Sequence, residues 1–193
     1  MITQTIKKLY TLILDLLFPI HCLGCQKQNG WICPNCLSNI KDFSFDNELL
    51  KHSIQIFKYQ GVKDLSLPLG KLLKQKAKNL NYDYIIPVPL HKRKLGYRGF
   101  NQTELLANEI KKELVLTDIL LKTKKTKPQM KLPKEKRLKN LKNSFLIKNN
   151  SKIKNKTILL IDDVKTTGTT LLECKKVLLE SGVKEVLTLT LIE

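Results

Sequence analysis

The stretch from Lys156 to Gly182 constrains the fold more than any other part of the chain. It begins with an apolar run, KTILLIDD (156–163), passes through a turn rich in Thr and Gly, and ends in TLLECKKVLLESG, whose apolar residues recur at helical spacing. A buried strand joined by a short turn to an amphipathic helix is the repeating unit of parallel sheets. The stretch therefore predicts an α/β domain.

The same alternation of strand and helix continues through the rest of the chain. An opening capping box, Asn101 with Glu104, is predicted for the second of the helices that follow. Strands are predicted at 53–61, 82–89, 114–121, in SFLI and in the final VKEVLTLTLIE, and helices at 62–78 and 99–114. This order predicts a mostly parallel sheet with helices on both faces, in which ligands lie beyond the carboxyl ends of the strands.

The chain length of 193 residues allows one domain of about 150 residues and a small appendage. We expect an N-terminal module at 1–45, consisting of an apolar helix and a cysteine knuckle, and a main domain at 46–193. The apolar segment 9–20 carries Asp15, lacks a small-residue cleavage site and is too short to span a bilayer. No transmembrane segment is therefore expected, and the expected location is the cytoplasm, with peripheral contact at the inner membrane as the alternative.

Four of the five cysteines, Cys22, Cys25, Cys33 and Cys36, form the pattern C-x2-C-x7-C-x2-C. Two short C-x-x-C knuckles can present four thiolates to one ion, so the pattern predicts a structural zinc site. The alternative is a pair of disulfides, which requires an oxidising compartment. The fifth cysteine, Cys174, is spaced with leucines along one face of the last predicted helix, so we expect it in the core.

The net charge of +18 predicts attraction to polyanions such as nucleic acid, anionic lipid or phosphorylated small molecules. A codon-biased, AT-rich host is an alternative explanation, because nearly all of the 35 basic residues are lysine. The exceptions are Arg93, Arg98 and Arg137. Arginine offers a rigid bidentate fork to phosphate, so these positions, all in polar stretches expected to be loops, are candidates for oxyanion recognition.

Asp162 and Asp163 directly precede the Thr and Gly turn. A strand that turns through Thr166, Thr167 and Gly168 into a helix offers backbone N–H groups at the positive end of the helix dipole, which suits a phosphate monoester. The carboxylates can accept hydrogen bonds from vicinal sugar hydroxyls or hold Mg2+ through its waters. A ribose 5-phosphate satisfies both halves of the motif.

This motif resembles the phosphoribosyl pyrophosphate (PRPP) signature of type I phosphoribosyltransferases. Over nearly its whole length, the chain is similar to the ComF (ComFC) family of phosphoribosyltransferase-like competence proteins. The resemblance includes ILDLLFP at 13–19, the four cysteines, IPVPLHKRKLGYRGFNQTELLA at 86–107 and LLIDDVKTTGTTL. It also includes the spacing of Lys125, Thr126, Gln129, Leu132, Arg137 and Asn140.

The resemblance implies a type I phosphoribosyltransferase-like fold and a role for each motif. Asp162 and Asp163 would contact the ribose hydroxyls and Mg2+, and Arg93 and Arg98 would meet the pyrophosphate. The basic segment 122–143, which carries half of the net charge, would be a mobile flap over the site, with Lys125, Gln129 and Arg137. The 5-phosphate loop would consist of Lys165, Thr166, Thr167, Gly168, Thr169 and Thr170; Lys165 either reaches a phosphate or remains solvated.

Three functional hypotheses follow. By resemblance, the first is a protein of natural transformation that retains a PRPP site and handles incoming single-stranded DNA with other DNA-uptake proteins at the inner membrane. Its basic flap and zinc knuckle would track the phosphate backbone. The second is an active phosphoribosyltransferase on a nucleobase-like acceptor, although no acceptor pocket with its own acid or base is evident. The third is a PRPP-sensing adaptor without turnover.

Overall fold

The computed structural model describes residues 17–28, 30–124 and 143–193. The chain divides into two compact units, Met1–Lys41 and Asp42–Glu193; the domain boundary at 45 stays a prediction. The predicted flap residues Lys125, Gln129 and Arg137 lie outside the described residues, as does most of the predicted helix at 9–20. Among the helices in the described ranges, none has the length and apolar character that a membrane crossing requires.

The larger unit contains a parallel sheet that confirms the predicted α/β class. Its order is β1-β4-β5, and Ile85 of β1 lies opposite Leu159 of β4. Two further short strands form an antiparallel pair. The strands in chain order are β1 (Tyr84–Pro87), β2 (Leu120–Lys122), β3 (Phe145–Ile147), β4 (Thr157–Ile161) and β5 (Glu185–Leu189).

Helices pack on both faces of the parallel sheet. Ile158 and Leu160 of β4 share a core cluster with Cys174 on one face. Because side chains alternate along a strand, Leu159 and Ile161 point to the opposite face. The helices of the described residues are α1 (Pro34–Ser38) in the smaller unit, and α2 (Glu48–Tyr59), α3 (Ser66–Ala77), α4 (Lys92–Arg98), α5 (Gln102–Lys111) and α6 (Thr169–Glu180) in the larger one, with 3-10 turns at Lys63–Leu65 and Lys112–Leu114.

Helix α5 contacts β1 and β4, helix α3 packs against α5, and α6 contacts β3 and β5. The α3–α5 contact depends on Gly70, because a Cβ atom at that position would collide with the side chain of Glu109. Cys174 of α6 is completely buried. The expectation that it packs as a core residue is therefore confirmed.

The strand predicted at 53–61 is wrong, because residues 53–59 belong to helix α2, which ends at Tyr59. Asn47 caps this helix by accepting a hydrogen bond from the backbone N–H of Leu50 at 2.9 Å. The buried positions include Leu50, Ile54 and Phe57, which follow helical rather than alternating spacing. The alternation of polar and apolar residues in SIQIF is misleading, because the polar Ser53 is also buried. Its hydroxyl donates to the Leu49 carbonyl within the helix.

Three other expectations need correction. The strand predicted at 114–121 is reduced to Leu120–Lys122, because a 3-10 turn ends at Leu114. The segment that carries Arg93 and Arg98 is helix α4 and not a loop. Asn101 occupies the N-cap position of α5 but makes no side-chain cap hydrogen bond. Its side chain instead binds Thr103 and the Val88 carbonyl.

Candidate functional site

The two carboxylates lie where β4 ends, at the carboxyl edge of the parallel sheet. Backbone pairing continues past the strand, since the Asp162 N–H donates to the Leu189 carbonyl at 3.1 Å and the Asp163 carbonyl accepts from Leu191 at 3.1 Å. The Asp163 N–H also donates to Oδ1 of Asp162 at 2.9 Å. The acid pair is therefore held on rigid backbone at the edge where ligands bind in such sheets.

Lys58, at the end of α2, forms an ion pair with Asp163. Its Nζ lies 2.9 Å from Oδ1, and the two side chains are only 18% and 12% exposed. Because both groups are largely removed from water, each depends on the other for charge compensation. Lys58 was not predicted as a site residue, because its segment was expected to be a strand and one lysine among many gives no signal.

Asp162 has no ion-pair partner among the described residues, and its pKa is raised from 3.8 to about 7. Burial is the main cause, and the charge of Asp163 adds to it. Lys58, the Asp163 N–H and Lys122 act in the opposite direction. A carboxylate in this state favours a ligand that supplies hydrogen-bond donors or a cation to its charged form.

Lys94 of α4 and Lys122 of β2 lie near the acid pair. The pKa of each is lowered, mainly by burial; Arg98 and Lys58 add to the effect at Lys94, and Lys94 adds to it at Lys122. Asp162 acts in the opposite direction on both. Together with Lys58, these lysines surround the two acids with cations, an arrangement that sequence spacing alone does not reveal.

The turn after the acids leads into α6. Gly168, the N-cap residue, has a φ of +70°, in the left-handed region that favours glycine. The Thr167 and Thr169 hydroxyls are hydrogen-bonded to each other at 2.8 Å. A small polar cavity of about 20 Å³ opens here, and its lining residues are Asp162, Val164, Lys165, Thr166, Gly168, Thr169, Thr170 and Leu171. One acid and the predicted phosphate loop therefore face the same space.

Lys165 has a partner within the larger unit. Its Nζ lies 3.4 Å from a carboxylate oxygen of Glu193, and both side chains are about half exposed. Its aliphatic stem passes Gly168, because a Cβ atom built on that glycine would lie 3.8 Å from the Lys165 Cε. The side chain thus lies across the loop, and its ion pair is exposed enough to be weak.

Arg93 and Arg98 lie on α4, whose N-cap His91 accepts a hydrogen bond from the Arg93 N–H at 3.2 Å. The Arg93 side chain is exposed. Arg98 is half-buried, donates from Nη1 to Gln102 Oε1 at 2.8 Å, and has its guanidinium carbon 5.1 Å from the Tyr59 ring centroid. Of the two residues predicted to contact pyrophosphate, only Arg98 is held in place by side-chain contacts with other described residues.

The turn between β1 and α4 is tied to α5. The Val88 carbonyl accepts hydrogen bonds from the Thr103 hydroxyl at 2.7 Å and from the Asn101 side chain at 3.2 Å. The Asn101 carboxamide oxygen accepts in turn from Thr103 at 2.8 Å. These contacts satisfy a polar group at a strand end and anchor the segment that carries the arginines.

Comparison with known proteins identifies the family to which this chain is similar. Residues 95–193 match the phosphoribosyl transferase domain. The chain is 32% identical to competence protein F of Haemophilus influenzae over 86% of each chain, and 32% identical to competence protein ComFC of Streptococcus pneumoniae over 76% of this chain and 64% of that one.

The chain belongs to the ComF family. Among solved structures, it is similar to the glutamine PRPP amidotransferase of B. subtilis, with 17% identity, a TM-score of 0.47, and coverage of 71% of this chain and 30% of that one. That likeness is too weak to support an argument of its own. The family membership confirms the resemblance found in the sequence motifs.

The smaller unit of this ComF-family chain brings the four predicted zinc cysteines together. The sulfur atoms of Cys22, Cys25, Cys33 and Cys36 all lie within 4.8 Å of one another. A tetrahedral ion with Zn–S bonds of about 2.3 Å places its sulfur ligands about 3.8 Å apart, and Cys25 Sγ lies 3.7 Å from Cys33 Sγ. All four are free thiols, so the donor set fits zinc and contains no disulfide.

Backbone hydrogen bonds prepare the cysteine cluster for a cation. The Cys33 N–H donates to Cys22 Sγ at 3.3 Å, and the Cys36 N–H donates to Cys33 Sγ at 3.4 Å. Such N–H···S contacts stabilise thiolates, which are the form that binds zinc. His21, adjacent to the cluster in sequence, is exposed and is not among the clustered ligands.

We predict that the purified protein carries about one zinc ion per chain in reducing buffer, measured by plasma mass spectrometry. Cys33→Ser should reduce this content several-fold, because it replaces a buried thiolate ligand with a hydroxyl that binds zinc poorly. Cys174→Ala is the matched control, since this thiol lies in the sheet core, and it should retain the metal. Wild-type protein without zinc under these conditions would contradict the assignment.

We also predict that Asp162 lowers stability as the pH rises. Because its folded pKa of about 7 exceeds the ordinary value of 3.8, the folded chain holds an extra proton between these limits, so the free energy of unfolding falls as pH rises from 4 to 7. Between pH 4 and 7 this fall in the free energy of unfolding should be on the order of 1 to 3 kcal/mol. Asp162→Asn should abolish it, as measured by urea unfolding at a series of pH values.

The control for this experiment is Asp83→Asn, at the opposite edge of the sheet. The pKa of Asp83 is lowered, chiefly by the Thr157 N–H and despite partial desolvation, so its contribution to stability is present above the ordinary pKa and is lost on acidification. This substitution should therefore destabilise the protein at neutral pH. If the free energy of unfolding depends on pH in the same way for wild type and Asp162→Asn, the pKa of Asp162 is not raised in the folded protein.

Proposed function

We propose that this chain binds PRPP and Mg2+ through Asp162, Asp163 and the loop 165–170, and that it handles incoming single-stranded DNA in the cytoplasm during natural transformation. The observation that carries the PRPP part is the shared cavity, which is lined by Asp162 on one side and by the loop and the first turn of α6 on the other. A ligand bound over it can meet a carboxylate and helix N–H groups at once.

The chemistry of each half supports a phosphoribosyl group. The first turn of a helix offers backbone N–H donors without intrahelical partners, and its dipole favours an anion. Asp162 is disfavoured in its charged form, so sugar hydroxyls that donate to it, or Mg2+ held through water, would offset that cost. Carboxylate oxygens are the hard donors that Mg2+ prefers, and when bound the ion would neutralise charge on the pyrophosphate.

The cations around the site support the diphosphate part of the ligand. Lys94 and Arg98 lie on the same face of α4, one turn apart, and the acid pair raises the pKa of Lys94 against the effect of burial. Arg98 is fixed by Gln102, so its remaining N–H groups are available in a defined orientation. Stabilising charge on a departing pyrophosphate is the main device that such a site could offer.

The DNA part of the proposal rests on the family and on charge. The relatives include proteins named for competence and, in Escherichia coli, for DNA utilisation. The net charge of +18 favours association with a phosphate backbone. Partners in DNA uptake at the inner membrane belong to the same proposal.

We predict that isothermal titration calorimetry detects PRPP binding in the presence of Mg2+. The double substitution Asp162→Asn with Asp163→Asn should weaken binding at least tenfold, because it removes both anionic acceptors for the ribose hydroxyls while it keeps their size. Asp83→Asn should leave the affinity unchanged, since this residue precedes β1 at the far edge of the sheet. Undiminished binding by the double variant would refute the assignment of the site.

A further inference from the structure

An exposed aromatic ring lies at the end of α2, next to Lys58 in sequence. Tyr59, the last residue of this helix, is 62% exposed, and Arg98 of α4 is placed over its ring at 5.1 Å. Large aromatic side chains usually bury most of their surface, so an exposed tyrosine ring held beside an arginine forms a surface suited to binding. We call Tyr59 and Arg98 the tyrosine patch.

Arg98 is held against the Tyr59 ring before any ligand arrives. Its Nη1 donates to Oε1 of Gln102, a residue that is only 1% exposed, and the Gln102 amide nitrogen has no hydrogen-bond partner among the described residues. An arginine fixed along one edge loses little rotamer freedom when another group stacks on the pair. The Tyr59–Arg98 pair is thus preorganised.

Both helices of the tyrosine patch also carry a lysine that interacts with the acid pair. Lys58, which directly precedes Tyr59, forms the 2.9 Å ion pair with Asp163. Lys94, one turn before Arg98 on α4, has a pKa that responds to Arg98, to Lys58 and to both acids. The acid pair therefore connects the two helices that carry the patch.

The chemistry of the surface selects the class of ligand. Every nucleobase has a flat face that stacks on tyrosine or on an arginine plane. Helix α4 adds exposed cations at Lys92 and Arg93 and contains no acidic residue, which suits backbone phosphates. Bases of a duplex have their faces covered by neighbouring bases, so only a single strand can use the tyrosine ring and the cations together.

We propose that Tyr59 and Arg98 form a stacking site for a base of single-stranded nucleic acid. This inference rests on the DNA part of the proposed function and assigns it a place in the fold. It also supplies a surface for a planar group, which the sequence motifs did not identify.

The test compares an oligothymidylate with an abasic oligonucleotide of the same length, both labelled, by fluorescence anisotropy at several salt concentrations. Wild-type protein should bind the oligothymidylate about tenfold more tightly, and Tyr59→Leu should abolish that difference while it leaves the abasic affinity unchanged. Tyr59→Phe keeps the ring and should keep the difference. Tyr82→Leu, at the amino end of β1, is the matched control and should behave as wild type.

The outcomes separate the inference from the function on which it rests. If both oligonucleotides bind equally, or if Tyr59→Leu weakens both to the same degree, the stacking site is wrong and DNA binding stands. Failure of both to bind, or binding that does not weaken with salt, overturns the DNA function and the stacking site with it. Competition by free thymine at the affinity of the oligothymidylate would assign the site to a free base and contradict the proposal.

Discussion

The burial of two adjacent carboxylates, Asp162 and Asp163, is the constraint on which the candidate site depends. Both are held by backbone hydrogen bonds at the end of β4, where the charge of Asp163 adds to the cost of ionising Asp162. Lys58 compensates Asp163 directly, whereas Asp162 keeps a raised pKa. Under the proposed function, a ligand with hydroxyl donors or a divalent cation would offset the remaining cost, which is how the proposed phosphate loop can follow two acids.

Three separate elements contribute cations to this point. Helix α2 provides Lys58, helix α4 provides Lys94, and β2 ends in Lys122. The carboxyl ends of β1 and β4 meet at one edge because the two strands are parallel, and the segment after β1 is tied down where Val88 accepts from Thr103. The parallel sheet is therefore what collects acids, loop and cations into one site, as expected for a ligand beyond the strand ends.

The parts of the site formed by consecutive residues were predictable, because their sequence patterns lie within one short stretch of the chain. The strand, turn and helix of 156–182 combine an apolar run, a glycine and a helical period, and the cysteine spacing carries its own geometry. Lys58 and Tyr59 were not predictable, since their partners Asp163 and Arg98 lie far away in the chain. The alternation around Ile54 also favoured a strand, and burial of Ser53 within a helix explains that error.

Phosphorus NMR reports directly on the proposed phosphate loop, because it resolves the 5-phosphate of PRPP from the two phosphorus atoms of its pyrophosphate. With Mg2+ present, we expect the protein to shift or broaden the 5-phosphate resonance. Gly168→Ala should weaken this effect, since alanine is strained at a φ of +70°. A 5-phosphate resonance that stays unchanged at saturating protein would contradict the proposed site.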